Sequence, residues 1–222
     1  VPALLFGDPA YTAAQCGGGG ATAEGIEPLP GTRAEVEAVA GLLCGVDAAA
    51  YTFLGANASE SAVKRLSRTG VLAAARVVHF AAHTFAPGER EGITEPCIVL
   101  SLCGDAGEDG FLNMSEVLTL KLDADLVTLS SCASGWVRAE DRMDGISGLA
   151  RAFFHAGTPR LLVSLWGTDD DASAAFMRSF YAALMRGGGR ADALGSARRA
   201  MLASAFNHPG LWAAFVMTGE WR

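Results

Sequence analysis

Apolar residues in this chain fall into short buried runs that alternate with stretches of helical spacing. Ala3-Leu4-Leu5-Phe6, stopped by Gly7-Asp8-Pro9, predicts a first strand. The row Gly17 to Gly20, with Pro28 and Pro30 further on, makes residues 11–31 a flexible surface loop in this reading. Val36, Val39, Leu42 and Leu43 follow Thr32 at helical spacing, and Glu35 stands where a capping box needs it, so a helix begins at Thr32 and ends at Gly45. Ala49 to Leu54 predicts a second strand, and Asn57-Ala58-Ser59-Glu60 opens a helix running to about Arg68. Arg76 to His83, dense in β-branched and aromatic side chains, is a third strand that breaks before Pro87-Gly88.

The second half repeats the rhythm. Cys97 to Leu102 and the short helix opened by Asn113 or Ser115 form an edge hairpin. The run Ala124 to Thr128 predicts a buried strand that leaves its sheet through Leu129-Ser130-Ser131-Cys132-Ala133-Ser134-Gly135. Residues 133–145 read as a mobile loop, Ile146 to His155 as a helix, and Arg160 to Trp166 as an apolar strand. Asp169-Asp170-Asp171 supplies an acidic N-terminus to a helix reaching Met185, Ala191 to Ala203 is a last helix, and Leu211 to Met217 is a closing strand. Strands separated by helices of this length predict an α/β fold with a mostly parallel sheet covered on both faces.

At 222 residues and 50% hydrophobic composition the chain suits one domain with a substantial core. Because it opens on Val1 and enters a strand at once, residues 1–222 are expected to be one domain cut from a longer polypeptide. A net charge of −7 without a Lys/Arg cluster gives no field for a nucleic acid backbone. Five cysteines without a C-x-x-C pair or nearby histidines argue against a metal site and a disulfide framework, and favour a reducing cytoplasm. No apolar stretch reaches the length of a bilayer span. Neither a Walker A pattern nor a G-x-G-x-x-G after a strand is present, and no cofactor is expected.

Candidate chemistry sits at two strand ends. His83 and Cys132 are 49 residues apart, each at the carboxyl end of a buried strand, and on neighbouring strands they would meet above one sheet edge. A free thiol with a pKa of about 8.5 is mostly protonated at neutral pH, so an adjacent imidazole would raise its nucleophilic fraction and later return the proton to a leaving group. The backbone N–H groups of Cys132 and Thr84 are the candidate oxyanion donors. The competing reading makes Cys132 a buried core thiol and His83 a turn residue. His79, on the same strand face as His83, reads as a packed neighbour, His155 as a helix-dipole partner and His208 as a turn residue.

An ordered set of motifs adds to this. His79-Phe80-Ala81-Ala82-His83-Thr84, Asp109-Gly110-Phe111-Leu112, Leu126-Val127-Thr128-Leu129-Ser130-Ser131-Cys132, Gly148-Leu149-Ala150-Arg151-Ala152-Phe153, Ser164-Leu165-Trp166 and Trp212-Ala213-Ala214-Phe215 together resemble the CHAT domain family, caspase-like cysteine peptidases related to caspases and separase. The resemblance runs over nearly the whole chain, from Gly7-Asp8-Pro9 to Gly219-Glu220-Trp221. It implies a caspase-like three-layer sandwich, His83 as catalytic base and Cys132 as the nucleophile of peptide-bond cleavage. The chain departs from the family pattern in two motifs: Thr84 stands where the family has glycine, and Ser131 and Ser134 fall at variable points of the cysteine motif. The resemblance also implies a substrate pocket walled by Ser164 and Trp166 with Ser130 beneath, to which Asp169 could add charge for a basic side chain. Asp169 as a plain helix cap, and Trp166 as core, are the competing readings.

The function expected from this is a cytoplasmic cysteine endopeptidase acting on a protein or peptide, regulated by an N-terminal sensor region of the full chain that carries helical repeats, with no direct nucleic acid or membrane partner. The alternatives are a catalytically silent caspase-like scaffold and a Cys-dependent amidase or acyl hydrolase using the same dyad.

Overall fold

The computed structural model of the chain describes residues 2–17, 25–103, 107–130 and 139–220, with 139–144 described in backbone only. In chain order the elements are β1 (Ala3–Pro9), α1 (Pro30–Cys44), β2 (Thr52–Gly55), α2 (Glu60–Arg68), β3 (Val77–Ala81), β4 (Thr84–Phe85), β5 (Cys97–Val99), β6 (Phe111–Asn113) and α3 (Met114–Val117). They continue as β7 (Leu126–Ser130), α4 (Ala139–Ala156), β8 (Arg160–Ser164), α5 (Asp170–Met185), α6 (Arg190–Leu202) and β9 (Phe215–Gly219). The main sheet has the order β2-β1-β3-β7-β8-β9, parallel throughout except for the antiparallel β9. A second, antiparallel sheet of order β4-β5-β6 stands beyond the end of β3.

Period-two alternation divides the strand residues between two cores. Leu4, Phe6, Val78, Phe80, Val127, Leu129, Leu161 and Val163 pack with Val63 of α2, Val117 of α3 and Leu149 and Phe153 of α4. Ala3, Leu5, Val77, Ala81, Leu126 and Leu162 face Val36 and Val39 of α1, Phe176 and Phe180 of α5 and Ala197 of α6. Each fully buried Leu or Phe contributes roughly 1.5–3 kcal/mol. Helices cover both faces, and the expected α/β sandwich with a mostly parallel sheet is the observed architecture. None of the described helices is long and apolar enough to cross a membrane.

A third cluster lies past the carboxyl ends of the strands: Tyr11, Ile26, Leu29, Phe85, Cys97, Val99 and Leu102. It corrects the reading of 11–31 as a flexible surface loop at both of its described ends, because Tyr11, Ile26 and Leu29 are buried against the small sheet. The glycine-rich composition between them hid these anchors.

Four further expectations are corrected. First, α1 starts at Pro30, whose fixed φ suits the first helical position, and Thr32 and Glu35 form no capping box. The Thr32 hydroxyl instead donates to the Leu29 carbonyl (2.6 Å) and accepts from the Asp8 N–H (2.8 Å), while Glu35 turns into the core. Second, the helix placed at Ile146 begins at Ala139. Its glycines pack closely: a Cβ on Gly145 would lie 3.2 Å from Ala86, and one on Gly148 3.1 Å from Pro96 and 3.2 Å from Met114. Third, Trp212 to Ala214 follow a 3-10 turn at Pro209–Leu211 and the last strand begins only at Phe215. Fourth, Cys16 and Cys103 form a disulfide with Cα atoms 5.0 Å apart. The Ala10 carbonyl accepts from the Leu102 N–H at 2.9 Å, and this contact aligns two segments that are remote in sequence.

Candidate active site

The parallel register of three central strands sets the site. Ala81 pairs with Ser130, and Leu129 pairs with Val163, so the carboxyl ends of β3, β7 and β8 lie side by side. His83 follows Ala81 by two residues. Ser130 is the last residue of β7 and is buried, and Ser164 is the last of β8 and is buried as well. Cys132, two residues after Ser130 in the sequence, lies outside the described residues, as do Ser131 and Ser134.

His83 is 1% exposed. Its ring stacks on Phe85 with 13° between planes and 6.3 Å between centroids, and tilts against Tyr11 at 5.4 Å. Nε2 lies 2.8 Å from the main-chain oxygen of Glu27. A carbonyl only accepts, so Nε2 carries the proton, and in the neutral ring the lone pair is at Nδ1. Glu27 thereby selects the tautomer, a role for a backbone atom that side-chain chemistry in the sequence does not announce.

Thr84 opens β4 opposite Ile98. The Val99 N–H donates to the His83 carbonyl (2.8 Å), which makes the 83/99 position the hydrogen-bonded one, and alternation turns the Thr84 N–H away from β5. The remaining predicted side chains are placed as follows. The Ser164 hydroxyl donates to the Trp166 carbonyl at 2.6 Å. Trp166 is 40% exposed, and its indole N–H donates to the Gly210 carbonyl at 3.0 Å. Asp169 caps α5 by accepting from the Ala172 N–H at 3.0 Å. Asp170 accepts from the Gly31 N–H at 3.2 Å and so joins α5 to the start of α1. Ser130, Ser164 and His83 are thus gathered at one sheet edge, with Trp166 next to it in the chain and Asp169 engaged at a helix terminus.

His79 does not touch this edge. It is fully buried between the sheet and α1 and α5, with Nε2 2.8 Å from Glu35 and Nδ1 3.1 Å from the Tyr181 hydroxyl, which in turn lies 2.7 Å from the Thr128 hydroxyl. Burial pushes the Tyr181 hydroxyl well above the ordinary phenol range. The chain of four polar groups satisfies itself inside the second core.

The carboxylates of Glu60, Glu108 and Glu116 also converge, with ligand atoms within 4.8 Å of one another. The cation among them is Lys64, whose Nζ lies 2.6 Å from each. Its ammonium takes the place a metal would need.

The profile of the CHAT domain family matches residues 1–220. Tetratricopeptide repeat protein 28 of Homo sapiens is 38% identical over 110 residues, 49% of this chain and 4% of that protein. Its counterpart in Mus musculus is 40% identical over 112 residues, again 49% of this chain and 4% of the relative. The chain therefore spans a small fraction of the curated relatives it matches. Among solved structures, the Arg-specific cysteine proteinase gingipain R aligns with a TM-score of 0.57 at 13% identity, covering 99% of this chain and 46% of that one. That likeness is one of fold.

Proposed function

The chain belongs to the CHAT domain family, and from that membership and the strand-end geometry we propose that it is a cysteine endopeptidase working through His83 and Cys132. One observation carries the reading: Ala81 and Ser130 are register partners, His83 stands two residues past the first and Cys132 two residues past the second. Equal offsets on neighbouring parallel strands would bring base and thiol to the same height above the sheet.

In the proposed reaction the Nδ1 lone pair of His83 takes the Cys132 thiol proton. The thiolate forms a C–S bond to the scissile carbonyl carbon, and the carbonyl π electrons move onto oxygen. The N–H groups of Thr84 and Cys132 receive that oxyanion. The intermediate collapses as the C–N bond breaks and the imidazolium passes its proton to the departing amine. Water, deprotonated by His83, then adds to the thioester carbon; the C–S bond breaks, the carboxylic acid leaves and His83 returns the proton to the Cys132 sulfur. Ser130, Ser164 and Trp166 form the wall met by the residue before the cut. Asp169 is the carboxylate nearest in sequence for a basic side chain there, although its present partner is the Ala172 N–H.

A cytoplasmic setting goes with this reading because it keeps a nucleophilic thiol reduced. The Cys16–Cys103 bond would there follow the thiol–disulfide poise. The relatives are named for tetratricopeptide repeats, which supports a helical-repeat region that governs this domain in the full protein.

The same relatives favour the second reading, a caspase-like scaffold without turnover. A peptide-based thiol trap with mass-spectrometric mapping separates the two. Labelling at Cys132 that disappears in His83→Ala supports the peptidase, and labelling at the rate of an ordinary exposed thiol in both proteins supports the scaffold. Screening against a peptide library then reads the residue before the cut.

A further inference from the structure

Tyr11 is a large aromatic residue that the peptidase reading does not use, yet it is 1% exposed and packs against the ring assigned as base. The small sheet explains why it matters. Thr84 pairs with Ile98 and Phe85 with Cys97, so His83 falls opposite Val99 if the ladder is continued by one residue. A hydrogen-bonded antiparallel pair exchanges two main-chain bonds. One of them is present, from the Val99 N–H to the His83 carbonyl at 2.8 Å. In place of its reciprocal, the His83 N–H donates to the Tyr11 hydroxyl at 3.4 Å, and that hydroxyl donates to the Val99 carbonyl at 3.0 Å. One oxygen atom is inserted into the ladder at the residue that carries the imidazole.

We infer that Tyr11 is a positioning residue: its hydroxyl spreads the His83/Val99 pair and thereby sets the tilt of the His83 ring and the direction of the following Thr84 N–H. The inference rests on the reading of His83 as the base. A phenol both donates and accepts, so it can join an N–H to a carbonyl, which a methylene or an aromatic hydrogen cannot. The tyrosine is itself fixed. Its N–H donates to the Gln15 side chain at 3.0 Å, the Ala10 carbonyl before it accepts from Leu102, and the Cys16–Cys103 disulfide ties down the segment five residues on. Phe85 also stacks on the His83 ring. The imidazole is therefore held by three kinds of contact: the Glu27 carbonyl at Nε2, ring packing against Tyr11 and Phe85, and the hydroxyl wedge at its own backbone.

Packing and positioning separate in Tyr11→Phe, which keeps the ring and removes the wedge. In the full chain, the maximal rate of Cys132 labelling by a peptide-based thiol trap should fall about 10- to 100-fold, the cost of a misplacement near 1 Å, with the half-saturating concentration within about twofold of wild type. The His83 imidazole nitrogen signals, read by NMR, should shift in the same variant. Wild-type labelling together with unchanged imidazole signals overturns the inference. If the unsubstituted chain shows no Cys132-dependent labelling, the peptidase reading fails on its own, and the imidazole signals still decide for or against the wedge. Should Tyr11→Phe fail to fold, fluorotyrosine incorporated in place of Tyr11 changes the hydroxyl's acidity with little change of shape. The backbone amide signal of His83 then moves if it donates to that hydroxyl, and stays fixed if it does not.

Discussion

The Nε2 of His83 donates to the main-chain oxygen of Glu27 across 2.8 Å, which commits the neutral imidazole to one tautomer with its lone pair at Nδ1. The predicted readout is an Nε2-protonated ring in the nitrogen NMR spectrum of the free protein. Replacing the ring in His83→Ala should lower the maximal rate of Cys132 labelling by about 10²- to 10⁴-fold, the usual worth of a general base. Cys132→Ala should abolish labelling at that position. His83→Ala should keep the wild-type far-ultraviolet circular dichroism, since its side chain belongs to neither of the two cores that flank the sheet.

Tyr181 links His79 to Thr128 where no water reaches. Tyr181→Phe leaves both neighbours short of a partner, and a buried polar group left unsatisfied costs about 1–3 kcal/mol. Urea denaturation should show that loss as a lower midpoint with an unchanged slope. The labelling rate of Cys132 should stay at its wild-type value, because the network lies under the sheet and not at its carboxyl edge.

Lys64 is shared by three carboxylates. Burial acts to lower its pKa, but the bonds to Glu108, Glu116 and Glu60 outweigh that and raise it above the ordinary lysine value. Glu60 is pushed up to about 7, with burial the main cause and Lys64 opposing it. In Glu116 the order of outcome is reversed: burial raises its pKa, and the bonds from Lys64 and the Asn113 N–H bring it below the usual carboxylate range. The signs follow from linkage. The Lys64 contribution is complete below the ordinary lysine pKa and is lost as pH rises through the higher folded value. Glu60, raised when folded, contributes less stability as pH climbs from about 4.5 to about 7. Glu116 contributes above its ordinary value and loses that contribution as the solution becomes acidic. Lys64→Ala should thus cost about 3 kcal/mol at pH 7.5, where the carboxylates repel one another, and less at pH 5.5, where Glu60 is protonated. Parallel urea titrations at the two values measure the difference.

The Cys16–Cys103 disulfide joins residues 87 apart. In the chain-entropy account, a loop of that size is worth about 4.6 kcal/mol through the unfolded state. Cys103→Ser without reductant and wild type with dithiothreitol should share one lowered denaturation midpoint. Dithiothreitol should leave the midpoint of Cys103→Ser where it is.

The sequence by itself determined the layers. Buried runs such as Val77 to Ala81 and Leu126 to Ser130 are short, continuous and rich in β-branched residues, as strands covered on both faces are, and the helical stretches between them oblige parallel neighbours. It also placed His83 at a strand end and Asp169 at a helix start, because strand termini and N-caps are local events written in adjacent residues. Where local signals misled, tertiary partners had taken the atoms over. Thr32 and Glu35 spell a capping box, yet Asp8 and His79 bind them more closely, and Gly145, read as loop, lies in a helix packed closely on Ala86. Only the folded structure decided that the Glu27 carbonyl meets His83, that Tyr11 reaches into the ladder at Val99, and that Cys16 faces Cys103. Each of these joins segments far apart in sequence, two of them use main-chain atoms present in every residue, and a pattern of side chains along one dimension carries no record of which distant backbone a fold will bring within hydrogen-bonding distance.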